Sequence, residues 1–79
     1  MQLNVLLFAS YAEVIGAHAV AVSVPDTATV GDVVAAVRAL VPDSELPPAL
    51  VAVNQVYAQP GQLVCEGDEV AIIPPVAGG

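Results

Sequence analysis

Residues 69–79 of this chain read EVAIIPPVAGG, which joins a β-prone run directly to a slender tail. The run is short, apolar and β-branched, so it predicts a strand. Pro74 and Pro75 stop that strand and favour an extended path beyond it, because proline fixes φ and cannot donate a ladder hydrogen bond. After Val76 no side chain is larger than a methyl group. The sequence therefore predicts an extended, flexible Gly-Gly tail at residues 75–79.

Gly79 offers one reactive group, an α-carboxylate of pKa about 3.5 that stays unreactive at neutral pH until it is activated. Gly78 has no Cβ, so the end of the chain can enter a narrow enzyme cleft. The tail alone is more typical of a cut linker or a disordered end. A linker, however, does not usually leave a core strand through two prolines. We therefore predict that Gly79 is the working group and that the rest of the chain carries it.

Hydrophobic periodicity predicts the other elements upstream of this tail. Strands are expected at residues 3–8, 18–24, 50–53 and 56–57, and one long helix at about residues 30–41. Residues 9–15 are helix-compatible and precede Gly16, a C-cap candidate. Thr29 and Asp32 have the spacing of a capping box at the start of the long helix, and Pro42 is expected to end it.

The order of these elements indicates the fold class. A strand that begins the chain and a strand that ends it can lie side by side at the centre of a sheet, with the helix across one face. This predicts an α+β, β-grasp domain at residues 1–74, with a mixed sheet of four to five strands and one main helix packed across it. Periodicity alone leaves other small α+β folds open.

Composition excludes some functions and favours others. The net charge is −7 over 79 residues, and Arg38 is the only basic side chain. Nucleic-acid binding needs phosphate neutralisation by Lys and Arg, so it is not expected, whereas basic surfaces on protein partners suit an acidic chain. With no lysine, the chain could form an isopeptide bond only as the carboxyl donor, apart from its α-amino group. No apolar run approaches the roughly 18 residues of a membrane span, and one cysteine builds no disulfide framework, so we expect a soluble, cytoplasmic protein.

No set of nucleophile, base and orienting group is evident in the sequence. His18 is expected at the surface or a sheet edge, and Cys65 as a packed thiol. Glu66, Asp68 and Glu69 surround a glycine turn but lack the spacing of a calcium loop, so no metal site is expected.

Four segments carry a resemblance to a known family. They are LLFA at residues 6–9, EVIG at 13–16, AVNQ at 52–55 and, above all, GDEVAIIPPVAGG at 67–79. Together they resemble the small, sulfur-carrier subunits of molybdopterin synthase, a ubiquitin-like family, from end to end of the chain. One departure is Ala12, where relatives often carry an arginine, so a contact of that arginine is not carried over.

The resemblance implies a ubiquitin-like β-grasp fold and a non-catalytic carrier subunit of a sulfurtransferase. A ubiquitin-activating-like adenylyltransferase would use ATP to adenylate Gly79, and a sulfur donor would convert it to a thiocarboxylate. The tail, Pro75, Val76, Ala77 and Gly78, would insert into the large synthase subunit, in a heterotetramer, where sulfur passes to a cyclic pyranopterin precursor. The carrier itself would bind no cofactor.

Strand parity suggests where that partner docks. Val70 and Ile72 share one face of the last strand, so Ile73 lies on the other face, beside the root of the tail. By the resemblance, Phe8, Tyr57 and Ile73 form the apolar patch that binds the large subunit. The alternative for Phe8 and Ile73 is that they belong to the core.

Three other functions stay open at this point. A sulfur carrier for thiazole synthesis shares the fold and the Gly-Gly end. A ubiquitin-like modifier would join Gly79 to lysines of target proteins. A plain interaction module would carry the tail incidentally.

Overall fold

The computed structural model describes residues 1–75, so residues 76–79 of the predicted tail lie outside the described part. Within it, five strands form a single mixed sheet and two helices flank it. In chain order the elements are β1 Gln2–Leu7, α1 Ala9–Ile15, β2 Ala19–Ser23, α2 Val30–Arg38, β3 Leu50–Val53, β4 Val56–Ala58 and β5 Val70–Ile73. No helix of the described residues is long and apolar enough to cross a membrane.

The strands lie in the order β2-β1-β5-β3-β4, which places the last strand of the chain in the middle of the sheet. β1 and β5 are parallel, with Val5 opposite Val70. β2 pairs antiparallel with β1, and β3 pairs antiparallel with both β4 and β5. The predicted ubiquitin-like β-grasp arrangement, with the first and last strands side by side, is therefore confirmed.

The core lies between the sheet and α2. Val70 and Ile72 of β5 are fully buried, as is Val5 of β1, and they share one face because alternate strand residues point the same way. Val33 and Val37 of α2 are equally buried against this face. As predicted, the side chains of Val70 and Ile72 in β5 lie on the core side of the sheet.

Both helices begin or end with the predicted caps, but α2 is shorter than expected. The Thr29 hydroxyl accepts from the Asp32 backbone N–H and the Asp32 carboxylate accepts from the Thr29 N–H, which completes the capping box. Gly16 ends α1 in the left-handed conformation, at φ 82°.

The prediction that α2 runs to residue 41 and ends at Pro42 was wrong. The helix ends at Arg38, and the next turn tightens, with the Leu40 N–H bonded to the Val37 carbonyl at 3.1 Å. Val37 is the last helical residue buried in the core, whereas the side chain of Leu40 is half exposed. Without burial beyond Val37, nothing holds the last predicted turn in α-helical form.

A buried tyrosine ties the long loop before β3 to both helices. Tyr11 of α1 is fully buried and donates its hydroxyl to the Pro47 carbonyl oxygen at 2.6 Å. Nη2 of Arg38 donates to the same hydroxyl oxygen at 3.1 Å and to the Pro47 carbonyl at 3.3 Å. The three groups fix the loop that leads into β3, and β3 pairs with the strand that bears the tail.

Replacement of Tyr11 by phenylalanine should lower the free energy of unfolding by about 1–3 kcal/mol, because the Pro47 carbonyl loses its 2.6 Å hydrogen bond from a fully buried side chain. For a domain of this size each kcal/mol corresponds to a drop of about 4–8 °C in melting temperature. Tyr57→Phe is the matched control, since that side chain is 67 % exposed and should change stability by less than about 0.5 kcal/mol. Equal melting temperatures for the two variants would show that the Tyr11 hydroxyl is not a stabilising tie.

Candidate functional site: an apolar sheet face beside the tail root

The tail leaves the domain from the central strand. Ile73, the last residue of β5, pairs with Leu50 of β3. Pro74 is buried and Pro75 is exposed, so the chain emerges from the protein between these two prolines. Pro75 then lies in a shallow depression with Pro48, Ala49 and Leu50. The tail root is thus held at the β3 side of the sheet.

Val76, Ala77, Gly78 and Gly79 lie outside the described residues. The predicted division into a β-grasp domain at residues 1–74 and a tail at 75–79 stays a prediction.

The sheet face opposite α2 carries a continuous apolar surface next to this root. Across the strands, Leu6 is opposite Ala71, Ala71 is opposite Ala52, and Ala52 is opposite Tyr57. Ile73 and Leu50 form the next row. We call this surface the apolar face; its large side chains are those of Leu6, Phe8, Leu50, Tyr57 and Ile73. The two alanines form its floor, since both are nearly buried although they point away from the core.

Phe8 lies at the end of this face and not in the core. It follows β1 as the N-cap of α1, in extended conformation at φ −129° and ψ 155°, so the alternation of β1 continues through it. Leu7 pairs with Ile72, which places Phe8 level with Ile73. The Phe8 side chain is 46 % exposed. The alternative that Phe8 is a core residue is therefore wrong, while its role in docking stays a prediction.

The sequence did not predict two members of the apolar face. Leu50 is 55 % exposed, and Leu6 is partly exposed. Both lie in strands whose mixed apolar runs hide the alternation. Leu50 and Ala52 are two residues apart on β3, so their side chains lie on the same face of the sheet. Together with the antiparallel register that puts Leu50 opposite Ile73, this spacing identifies Leu50 as a member of the apolar face.

The apolar face also carries no charged side chain. In the described strands, the positions that share the outward face carry no Asp, Glu, Lys or Arg, although the chain has a net charge of −7. Depletion of charge at the centre of an exposed surface is typical of a protein interface. The face can thus bury apolar area against a partner without desolvating an ion.

The acidic turn before β5 uses its carboxylate for structure. Asp68 accepts a hydrogen bond from the Cys65 backbone N–H at 2.7 Å and one from Asn54 Nδ2 at 3.0 Å, and both lower the pKa of Asp68, the first more strongly. The amide oxygen of Asn54 accepts from the Glu69 N–H at 2.9 Å, so the turn is locked to the β3–β4 turn. The side chain of Cys65 is exposed, so the prediction of a packed thiol was wrong: its backbone is tied down while its side chain faces solvent.

Replacing Asn54 by glycine should raise the pKa of Asp68 towards its ordinary value of 3.8 without restoring it fully, because the Cys65 N–H still donates. Glycine suits the positive φ of 51° at this position, so the backbone of the turn is conserved. A pKa depressed by folding stabilises the fold above the unfolded-state pKa, and that stability is lost as pH falls through the folded-state pKa. Carboxyl ¹³C NMR titration of Asp68 measures the shift; an unchanged pKa would remove the Asn54 amide as a cause.

The remaining titratable side chains form no metal site in the part of the chain that the structure describes. No group of three or more His, Cys, Asp or Glu side chains comes together in residues 1–75. His18 is exposed just before β2, as predicted.

Comparisons with known proteins agree with this architecture. A model of the ThiS family matches residues 5–79. A protein of Chlamydomonas reinhardtii named molybdopterin synthase sulfur carrier subunit is 40 % identical, over the full length of both chains. Small archaeal modifier protein 1 of Haloferax volcanii is 40 % identical over 92 % of this chain and 95 % of its own.

Two solved structures share the fold. The crystal structure of SAMP1 from Haloferax volcanii superposes with a TM-score of 0.85 at 37 % identity, and each chain is covered completely. A complex of subunits 1 and 2 of the molybdopterin-converting factor from Helicobacter pylori contains a similar chain, fully covered, with a TM-score of 0.59 and 21 % identity. At that identity the second likeness shows the fold alone.

Proposed function

The chain belongs to the ThiS family, and we propose that it is a sulfur carrier in molybdenum cofactor biosynthesis that works through the carboxylate of Gly79. The observation that carries the proposal is the uncharged apolar face beside the tail root. It supplies a docking surface at the place from which a slender tail could reach a partner's buried site. The Chlamydomonas relative, named for the same role, supports this function over the thiazole-synthesis alternative.

The proposed chemistry begins with activation of an inert carboxylate. An oxygen of the Gly79 carboxylate attacks the α-phosphorus of ATP on an adenylyltransferase, and pyrophosphate leaves. A donor supplying sulfur at the oxidation level of sulfide then attacks the acyl carbon, AMP leaves, and a thiocarboxylate remains. Its sulfur next attacks a carbon of the pyranopterin precursor and displaces an oxygen substituent from it. Water then cleaves the acyl–sulfur bond, which leaves the sulfur on the precursor and restores the carboxylate. Two such cycles provide both sulfurs of the dithiolene.

The partners supply what the carrier lacks. The proposed large subunit of molybdopterin synthase would cover the apolar face, receive residues 75–79 and complete a heterotetramer in the cytoplasm. The word subunit in the name of the Chlamydomonas protein supports an assembly of this kind. ATP belongs to the activating enzyme, and basic surfaces on the partners would complement the net charge of −7.

A ubiquitin-like modifier is the second candidate, favoured by the Haloferax relative with modifier in its name. Both functions pass through the same acyl-adenylate and differ in the nucleophile that follows. Sulfur gives a free thiocarboxylate, whereas a lysine amine gives an isopeptide bond. The product at Gly79 therefore separates the two functions.

The test is the mass of the C-terminal peptide of this chain, purified from its own cells, with and without a thiol-reactive alkylating agent. Sulfur in place of oxygen adds about 16 mass units, as does oxidation of Met1 or Cys65, so the change must be localised to the peptide that ends at Gly79. An alkylated thiocarboxylate there would support the carrier. A terminus found only as a plain carboxylate, or joined to lysines of other proteins, would contradict it.

A further inference from the structure

Strand β2 leaves one edge of the sheet open. Among the strands formed by residues 1–75, it pairs with β1 alone. The Leu7 N–H bonds the His18 carbonyl at 2.8 Å, and the Val24 N–H bonds the Met1 carbonyl at 2.9 Å, so the ladder with β1 continues past both ends of β2 without a bulge. The open edge is therefore regular along the whole strand.

The hydrogen bonds of this ladder determine which backbone groups face the open edge. In an antiparallel pair, residues that bond their opposite partner alternate with residues whose N–H and C=O groups point the other way. Val24 bonds Met1 of the neighbouring chain segment through both its N–H and its C=O, so every second residue before it also faces β1. The N–H and C=O groups of Ala19, Ala21 and Ser23 therefore point outward, and no backbone group of residues 1–75 bonds them there.

This edge lacks the features that usually keep sheet edges from pairing, which are charged side chains, prolines, bulges and very short strands. β2 consists only of alanine, valine and serine. The opposite edge is protected, because β4 has three residues, Pro60 follows it closely, and the Gln62 N–H turns back to the Gln59 carbonyl at 3.0 Å. β2 is thus the edge that can accept a further strand.

The only arginine of the chain lies away from this edge. α2 turns Val34 and Arg38 towards the other side of the sheet, where they line a groove with residues of β3 and β4. Ala36 and Asp32 are on the opposite flank of the helix, because side chains repeat every 3.6 residues, and α2 packs against β2 on that flank. A small side chain and a carboxylate therefore lie on the β2 side.

Other carboxylates lie beyond the two ends of β2. Asp26 follows the strand closely and its side chain is 90 % exposed, with the Met1 ammonium group at 3.4 Å. Glu13 lines a shallow depression together with His18, just before the strand. A basic segment is favoured by these groups and by the net charge of −7, whereas a second copy of this chain would bring a like charge to the edge.

We propose that the open edge of β2 binds an extended, basic segment of a partner protein, which becomes a sixth strand of the sheet. The backbone of that segment bonds the outward N–H and C=O groups of Ala19, Ala21 and Ser23. β1 separates β2 from the strand that bears the tail, so the bound segment leaves the tail root uncovered.

The side chains of the segment alternate between two environments. Those on the α2 side are aliphatic and pack on Val20, which is half-buried, beside the small side chain of Ala36. The basic side chains are on the other face and reach towards Glu13 and Asp26 beyond the ends of the strand.

The test is an NMR titration of the full chain with a short blocked peptide of alternating valine and lysine. We expect hydrogen exchange of the Ala19, Ala21 and Ser23 amides to slow at least about fivefold at saturation, because peptide carbonyls accept from them. The Val20 and Val22 amides already bond β1 and should change less. Raising the salt from about 10 mM to about 150 mM should weaken binding severalfold, since the Debye length falls from about 30 Å to about 8 Å.

Ala21→Pro removes one outward N–H without removing a bond to β1, and its ring obstructs the edge, so peptide affinity should fall at least about fivefold. Ala21→Ser is the matched control, because it keeps the N–H and should stay within about twofold of the wild type. Should the proline variant unfold, the comparison is made on the wild-type chain. There, a peptide with every backbone nitrogen methylated keeps the charges, loses the donors and should bind at least about fivefold more weakly.

Equal binding of the methylated and unmethylated peptides would overturn the inference, because charge alone would then account for binding. Protection of the three outward amides that follows protein concentration, strengthens with salt and ignores the peptide would also overturn it, since a second copy would then occupy the edge. Unchanged exchange of these amides at saturating peptide would place the peptide elsewhere on the chain and contradict strand addition at β2.

Discussion

Deletion of Gly79 is expected to abolish thiocarboxylate formation while the free energy of unfolding stays within about 0.5 kcal/mol of the wild type. The buried core of the described residues is formed by residues that precede the tail, such as Val5 and Ile72, so the fold is not expected to need the last residue. The shortened tail still ends in a glycine carboxylate, but that group is withdrawn by about 3.3 Å. Because a displacement of about 1 Å can cost 10²-fold in rate, activation should fall by at least about that factor.

The measurement is the rate of pyrophosphate release in a reconstituted reaction with the cognate adenylyltransferase and ATP. Ala77→Gly is the matched control, because it keeps the length of the tail and the Gly-Gly end and should remain near the wild-type rate. Efficient adenylation of the shortened chain would contradict the requirement for a carboxylate at a fixed reach. Unfolding of that variant, measured by denaturant titration, would show instead that the last residue belongs to the fold.

The architecture could be predicted because β5 and its neighbours have strong local signals. The alternation of Val70 and Ile72, and the capping box at Thr29, are set by residues close in sequence, and both are confirmed. The extent of α2 depends on where burial stops, which is a tertiary property, so the predicted end at Pro42 missed the last helical residue, Arg38.

Other features depend on contacts that sequence does not display. The Tyr11 hydroxyl donates a hydrogen bond to the Pro47 carbonyl across a separation of 36 residues, and no local sequence pattern predicts that pair. Cys65 was expected to pack beside Val64. Its backbone N–H instead donates a hydrogen bond to the Asp68 carboxylate, and its side chain is exposed.

The candidate site divides in the same way. The position of Ile73 followed from parity, while Leu50 joined the apolar face only once the register of β3 on β5 was known. Phe8 could not be assigned from sequence, because an apolar residue at a strand end suits the core and an interface equally; its exposed side chain decides against the core. The proposed chemistry at Gly79 follows from the sequence alone, whereas the surface proposed to bind the partner is defined by the pairing of the strands.

Replacement of Tyr57 by alanine is expected to weaken binding to the proposed large subunit about 30-fold, which corresponds to about 2 kcal/mol. Tyr57 is the largest side chain on the apolar face and is 67 % exposed, so it has most area to bury in a complex. It lies opposite the Ala52 floor, where a partner side chain can pack against the ring. The affinity is measured by isothermal titration calorimetry with the cognate large subunit.

Val56→Ala is the matched control, because the two residues are neighbours on β4 and Val56 is 68 % exposed. Strand alternation turns Val56 away from the apolar face, so its truncation should change the dissociation constant less than about twofold. The comparison removes strand position and exposure as variables and leaves the face of the sheet. Equal losses for the two variants would mean that β4 is recognised along its edge and not through the apolar face. No loss for Tyr57→Ala would confine docking to the tail and its root, since a partner covering the face must bury this ring.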